Sequence, residues 1–303
     1  MWIPIGTAEH FRGLDESLEI VETPTQPETD ARLGEVEVLV PPLPTGEMGL
    51  RLKALLAEMR ALRFIQLQSA GVNRYLDALP DGVTICSARG AQDGIVSEWV
   101  LSAILAGLKQ FPLYRDEQAA HRWTPRPGES LDGSTVLIYG YGGIGRAVEA
   151  RLTAFGPQVV RVARHAREGV VTPDALPRLL PLADVIVVLL PLTEETRGVI
   201  DASFLAQLRN GALLVNAARG PLVDFDALAE TLGRGQLRAV FDVADPEPLP
   251  ESHRLWREPA FFLTPHIAGH GSQGHLRIYE IVRAQLGRWA AGEPLSNIAA
   301  DGY

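Results

Sequence analysis

Three short segments in the second half of the chain each place a side chain capable of acid–base or anion chemistry at the end of an apolar run. Val215-Asn216-Ala217-Ala218-Arg219-Gly220 carries a guanidinium, Phe241-Asp242-Val243-Ala244-Asp245-Pro246-Glu247-Pro248-Leu249 carries carboxylates, and Leu263-Thr264-Pro265-His266-Ile267-Ala268-Gly269 carries an imidazole. Imidazole takes up and releases a proton near neutrality, a carboxylate beside it favours the charged ring, and a guanidinium binds a carboxylate through paired hydrogen bonds. Upstream, Gly140-Tyr141-Gly142-Gly143-Ile144-Gly145 follows the apolar run Val136 to Tyr139 and leads into a helix-like stretch from Arg146. Strand, glycine turn and helix in that order form the dinucleotide-binding arrangement. Gly140 allows the tight turn, Gly142 lets the backbone approach a pyrophosphate, Gly145 permits close helix packing, and the helix start offers N–H groups to the anion.

The elements that must position these groups are legible as short apolar runs with helix-like segments between them. The runs are Val36 to Val40, Phe64 to Leu67, Val83 to Cys86, Val136 to Tyr139, Val159 to Val162, Val185 to Leu190, Ala212 to Val215, Ala239 to Val243 and Phe261 to Leu263. Such alternation predicts parallel strands buried on both faces by crossover helices, with ligands at the carboxyl ends of the strands. A chain of 303 residues exceeds what one core usually organises, so two domains are expected. The break is placed near residue 97, giving residues 1–97 as one domain and 98–276 as the dinucleotide domain. The last amphipathic segment, Leu276 to Trp289, starts at the end of that domain, and the remaining 277–303 is expected to cross back and complete the first domain. Pro41-Pro42-Leu43-Pro44 reads as a rigid loop.

A formal net charge of -9 argues against nucleic acid or an anionic membrane as partner, which leaves a small molecule. A single cysteine, Cys86, excludes an intrachain disulfide framework and a zinc cluster and fits a reducing, cytoplasmic setting. The N-terminus lacks the pattern of a signal peptide, and the longest apolar run is too short for a membrane span. No metal site is expected.

An NAD site places an acidic residue about 20 positions beyond the glycines to hold the ribose 2'-hydroxyl. Here the corresponding stretch reads Arg161-Val162-Ala163-Arg164-His165-Ala166-Arg167, with no carboxylate. Guanidinium suits a 2'-phosphate, so NADP(H) is favoured, with Arg164 as its contact, and NAD(H) stays possible if these arginines form only a solvated turn.

Taken in order, these motifs resemble the D-isomer-specific 2-hydroxyacid dehydrogenase family. The likeness runs from the glycine loop through Ala154-Phe155-Gly156, Leu190-Pro191-Leu192-Thr193-Glu194-Glu195-Thr196-Arg197-Gly198, Asn216 to Gly220 and Glu247-Pro248-Leu249 to Thr264 through Gly269. Only Ser69-Ala70-Gly71-Val72 and Val96-Ser97-Glu98 match in the N-terminal part. The resemblance implies a Rossmann nucleotide-binding domain plus a smaller flavodoxin-like substrate domain, both doubly wound parallel α/β sheets, with the active site in the cleft between them and a homodimer built on the helix from Ser97 to Leu108. By the same resemblance His266 is the general acid/base, Glu247 its ionic partner and Arg219 the clamp on the substrate carboxylate. Ala70 and Gly71 present backbone N–H groups to the substrate. Leu190, Pro191, Thr196, Ala218, Asp242, His266 and Gly269 join Gly140, Gly142, Gly143, Ile144 and Gly145 around the cofactor. The family's threonine after the histidine segment is replaced here by His270-Gly271-Ser272.

Each residue also has a plainer reading: His266 as a cap on the following helix, Glu247 as a solvated turn residue, Arg219 as a ligand of a helix C-terminus, Asp242 as a buried acid that ties neighbouring loops, and the Ser69 turn as a helix entry. The implied reaction is NAD(P)-dependent interconversion of a 2-oxo acid and a D-2-hydroxy acid, with glyoxylate or hydroxypyruvate as the expected substrate. The competing class is a dinucleotide-sensing binding protein of the same fold. No tyrosine has a lysine four positions on, which disfavours a Tyr-x-x-x-Lys dehydrogenase.

Overall fold

The computed structural model describes residues 1–14, 18–42 and 46–299, with backbone alone at 73–74 and 272–275. Leu43 and Pro44 of the proline loop, the side chain of Ser272 and residues 300–303 of the expected C-terminal segment lie outside the described residues. The chain forms two compact units, Met1–Gln92 with Gly271–Tyr303, and Asp93–His270. The divisions fall a few residues before 97 and 276 because helices cannot be cut in their middle: one helix runs unbroken over Asp93–Leu108 and another over Ser272–Ala290.

In the first unit β1 (Trp2–Ile3), β2 (Val21–Glu22), β3 (Val38–Leu39), β4 (Phe64–Gln66) and β5 (Thr84–Cys86) form one sheet in the order β2-β1-β3-β4-β5. All pairings are parallel, with Trp2 opposite Val21 and Leu39, and Ile65 opposite Leu39 and Ile85. This is the flavodoxin-like order. The periodicity missed β1 and β2, whose two residues each are too few to show an alternation. Ile278, Val282 and Leu286 of the last helix pack with Ile3, Val38, Phe64 and Cys86 on one face of this sheet. Three to four residues between apolar positions put them on one helical stripe.

The second unit holds β6 (Thr135–Tyr139), β7 (Gln158–Val162), β8 (Val185–Val188), β9 (Ala212–Asn216), β10 (Leu237–Phe241) and β11 (Phe261–Leu263) in the parallel order β11-β10-β9-β8-β6-β7. Val171 adds a single parallel bridge to Val162, and counting it as a vestigial strand gives the order of the Rossmann sheet. Successive residues face opposite sides. Leu137, Tyr139, Ile186, Val188, Leu214 and Phe241 enter one core, and Val136, Ile138, Val185, Val187, Leu213 and Val215 enter the other. Both faces are therefore dry, which is why these runs read as continuous apolar blocks. Among the described residues no helix is long and apolar enough to cross a membrane.

Candidate active site

The carboxyl ends of β9, β10 and β11, neighbours in the sheet, carry the three chemistry-bearing loops. His266 has φ 55, in the left-handed region that costs an L residue on the order of 1 kcal/mol, so something must hold it there. That something is Asp242. Its side chain is 1% exposed, and its carboxylate accepts from Thr264 Oγ1 at 2.5 Å, from the Ile267 N–H at 2.8 Å and from the Ala268 N–H at 2.7 Å. Its carbonyl accepts the His266 N–H at 2.7 Å. Of the two duties the sequence offers for Asp242, a place beside the dinucleotide and a tie between neighbouring loops, these bonds show the second: Asp242 ties the histidine loop to the end of β10.

The turned loop points the imidazole at Glu247, with His266 Nδ1 3.0 Å from Glu247 Oε2. The other carboxylate oxygen, Oε1, accepts the Ala244 N–H at 3.3 Å, so Glu247 is tied on both sides. With Nδ1 engaged, Nε2 is the ring nitrogen left to meet a ligand. His266 does not cap the last helix, which starts at Ser272 with Gly271 before it.

Arg219 joins the pair through the backbone. Asn216, fully buried, closes its loop by accepting the Ala218 N–H at 2.9 Å and donating to the Arg219 carbonyl at 3.1 Å. The Arg219 guanidinium donates through Nη1 to the Ala218 carbonyl at 2.7 Å and remains part-exposed. At Gly220 any Cβ would overlap the carbonyl of Ala244 and stand 2.8 Å from the Asp245 nitrogen. A glycine is thus required for the arginine loop to lie against the loop that carries Glu247. Asn216 and Gly220 escaped the sequence reading of the site because their work is to hold backbone.

The glycine loop caps β6, where the sheet order reverses direction. Gly140 has φ 107, and a Cβ there would come 2.5 Å from the carbonyl carbon of Leu189. Gly145 packs against Gly140 and Ile138, and Gly143 against the Asp93 carboxylate, a contact that no spacing in the chain foretells. A Cβ on Gly142 would meet nothing within 4 Å. The protein's own packing does not demand glycine at 142, so the open side fits a close-lying ligand. No side chain caps the helix Gly143–Leu152, whose first N–H groups have no intrahelical partner. The loop therefore fits the diphosphate of a dinucleotide.

Leu190 and Pro191 follow β8, and their loop is closed by Thr196, whose hydroxyl donates to the Pro191 carbonyl at 2.6 Å and accepts the Thr193 N–H at 2.8 Å. Ala218 and Gly269 lie in the loops of Arg219 and His266. Arg164 is at the end of β7, its guanidinium 3.3 Å from Glu195. Ala70 and Gly71 belong to the other unit, just past β4, where the Ser69 hydroxyl donates to the Gly71 carbonyl at 2.8 Å.

A Rossmann sheet with a glycine loop at its switch point and an imidazole–carboxylate pair and a guanidinium on the same set of strand ends defines a dinucleotide-dependent dehydrogenase. Residues 101–268 match the family model for the D-isomer specific 2-hydroxyacid dehydrogenase, NAD binding domain. The chain is 34% identical over 230 residues to glyoxylate/hydroxypyruvate reductase A of Serratia proteamaculans, covering 71% of this chain and 73% of that one. Among solved structures it is similar to a D-isomer specific 2-hydroxyacid dehydrogenase family protein from Aeromonas salmonicida, with TM-score 0.85, 31% identity and coverage of 99% and 98%. It is also similar to the NADPH-dependent glyoxylate/hydroxypyruvate reductase of Sinorhizobium meliloti, solved with NADP and sulfate, with TM-score 0.84, 28% identity and coverage of 100% and 97%. The chain belongs to the D-isomer specific 2-hydroxyacid dehydrogenase family. It is an oxidoreductase that uses a nicotinamide dinucleotide and acts on a small 2-oxo or 2-hydroxy acid.

Proposed function

We propose that the protein reduces a short 2-oxo acid, glyoxylate or hydroxypyruvate, to the D-2-hydroxy acid (for glyoxylate, achiral glycolate) with NADPH. The observation that carries this reading is the 3.0 Å contact between His266 Nδ1 and Glu247 Oε2 in the unit that holds the glycine loop. The nicotinamide, when bound, supplies the hydride. His266 gives its Nε2 proton to the oxygen that was the substrate carbonyl, and Glu247 fixes the ring and balances its charge until the proton leaves. Arg219 binds the substrate carboxylate through paired N–H groups and draws charge from the adjacent carbonyl. The loop Gly140–Gly145 and the start of its helix hold the diphosphate, and Arg164 favours a 2'-phosphate. The NADPH-dependent relative from S. meliloti supports this cofactor choice.

We also propose a cytoplasmic homodimer. Residues 121–130 are exposed throughout and Trp123 is 95% exposed, yet this arm is held rigidly by buried Glu117, which accepts from Arg122 at 3.2 Å, Thr124 at 3.2 Å and Arg126 at 3.1 Å. A rigid arm with a bare indole suits burial against a second copy. Sedimentation should show a dimer that Trp123→Ala weakens, and a monomeric wild type would refute it.

The function is tested by steady-state turnover of NADPH and NADH against glyoxylate, hydroxypyruvate, pyruvate and bulkier 2-oxo acids. His266→Ala is expected to lower kcat/KM by on the order of a hundredfold or more. Near-normal activity of that variant would remove the assigned proton donor, and tight cofactor binding without turnover of any acid would make the protein a sensor.

A further inference from the structure

Past the end of β4 the turn Ser69-Ala70-Gly71 is part-exposed, and the N–H groups of Ala70 and Gly71 have no hydrogen-bond partner among the described residues. Successive unpaired backbone N–H groups suit a carboxylate. Such a turn works only if it is held in place. The hydroxyl bond from Ser69 to Gly71 closes it locally, and the Ser69 carbonyl accepts the Ala88 N–H at 2.9 Å, which ties it to the chain that follows β5. One step back along the same ladder, the Leu67 N–H donates to the Cys86 carbonyl at 2.8 Å.

Ala88 itself lies beyond β5 in irregular chain, so its place must be set from elsewhere. The C-terminal segment sets it. The Asn297 carbonyl accepts the Ser87 N–H at 3.0 Å, and Asn297 Nδ2 donates to the Arg89 carbonyl at 3.1 Å. These two bonds bracket Ala88. Asn297 has φ 52, a left-handed conformation that asparagine adopts more readily than most residues. Its neighbours follow suit: Ile298 makes an antiparallel bridge to Cys86, and the Ala299 N–H donates to the Ile85 carbonyl at 2.9 Å. β5 is the last strand in the sheet order, so its outer edge is open to such a strap.

The strap is anchored from behind. Gln285 of the last helix is 1% exposed; its Nε2 donates to the Ser296 carbonyl at 2.5 Å, and its Oε1 accepts the Ser296 N–H at 2.9 Å and hydroxyl at 2.7 Å. A buried amide satisfied at both ends holds one orientation, because any other leaves a polar group unpaired.

We propose that Asn297 is a positioning residue for substrate binding: through Ala88 it holds the Ser69-Ala70-Gly71 turn in the register from which its free N–H groups meet the carboxylate of the 2-oxo acid. This rests on the function proposed above. Gln285 serves the same turn one step further back, by fixing Ser296 and so the course of the strap. Neither residue touches the cofactor loop, which belongs to the other unit.

The test is steady-state kinetics of the full chain with glyoxylate and hydroxypyruvate at saturating NADPH, together with NADPH titration by fluorescence. Asn297→Gly keeps the positive φ and the backbone carbonyl and removes only the amide donor. Its KM for the acid should rise about threefold to tenfold, with kcat and the Kd for NADPH within about twofold of wild type. Asn297→Asp keeps the backbone too but turns an acceptor toward the Arg89 carbonyl, and should raise KM further than Asn297→Gly. Gln285→Met, which unties Ser296, should show the same split between KM and kcat at a temperature where calorimetry finds it folded. A wild type that turns over no 2-oxo acid would overturn the function proposed above and this role with it. An active wild type whose KM is unchanged in Asn297→Gly and Asn297→Asp would overturn the role of Asn297 alone. A fall in kcat and NADPH affinity equal to the rise in KM would also overturn it, since that is the mark of a general loss of structure.

Discussion

Replacing Asp242 by asparagine changes one oxygen to an amide, yet it should disturb both the stability of the second unit and the catalytic geometry. Oδ1 accepts two donors, Thr264 Oγ1 and the Ile267 N–H, and Oδ2 accepts the Ala268 N–H, all within a pocket where the residue is 1% exposed. An amide oriented to keep its oxygen toward the first two must face its NH2 at the Ala268 N–H. A buried donor left unsatisfied costs about 1–3 kcal/mol, and the two remaining bonds lose the reinforcement of a charged acceptor. Relief from burying a charge offsets part of this, which leaves a net destabilisation of about 2–3 kcal/mol. For a unit of this size that corresponds to a fall in Tm of about 5–10 °C. The same bonds hold His266 at φ 55, so the imidazole should drift from Glu247. A drop in kcat/KM of about tenfold or more is expected at temperatures where the variant is still folded. Differential scanning calorimetry and steady-state kinetics read the two effects. An Asp242→Asn protein that melts within about 1 °C of wild type would show that the Asp242 bonds do not carry the loop.

Three further outcomes follow from the same geometry. Gly220→Ala forces a methyl into the Ala244 carbonyl and should cost about 1–3 kcal/mol or more with a matching loss of activity, whereas Gly233→Ala, at a helical position with nothing within 4 Å, should be neutral or stabilising; equal thermal melts for the two would contradict the assignment. Arg219→Lys keeps the charge but not the paired donors and should lower kcat/KM by about tenfold or more, and wild-type kinetics in that variant would argue against carboxylate binding by Arg219. Cys86 is fully buried and burial pushes its thiol up to about 11, so at pH 8 it stays neutral and should resist a thiol reagent until the protein unfolds; reaction of the native protein at the rate of a free cysteine would refute this.

Much of the architecture could be read from the chain because a parallel sheet buried on both faces writes itself as apolar blocks, and each block of four or five residues from Val136 onward coincides with a strand to within about two residues. The chemistry was legible for the same reason: a glycine loop, an arginine, a glutamate and a histidine each follow such a block. β1 and β2 were hidden, being two residues long and stabilised by neighbours far along the chain. Asp242 left two duties open in the sequence, since a strand-end carboxylate looks the same whether it faces a ligand or three internal donors, and only the coordinates show the three donors. The different contacts of Arg161, Arg164 and Arg167 were equally invisible, because a row of arginines carries no mark of which one Glu149 has taken.

The three reactive loops leave adjacent strands, and strands in a sheet stand about 4.8 Å apart. Guanidinium and imidazole thus issue from backbones two such steps apart, roughly 10 Å, before their side chains reach inward. The β-ladder acts as a ruler under the carboxylate-and-carbonyl head that every 2-oxo acid presents, and loop sequence does not set the spacing of the strands. A chain built this way is free to alter which tail it tolerates, but the end of the molecule that reacts is gauged by the hydrogen-bond spacing of the backbone.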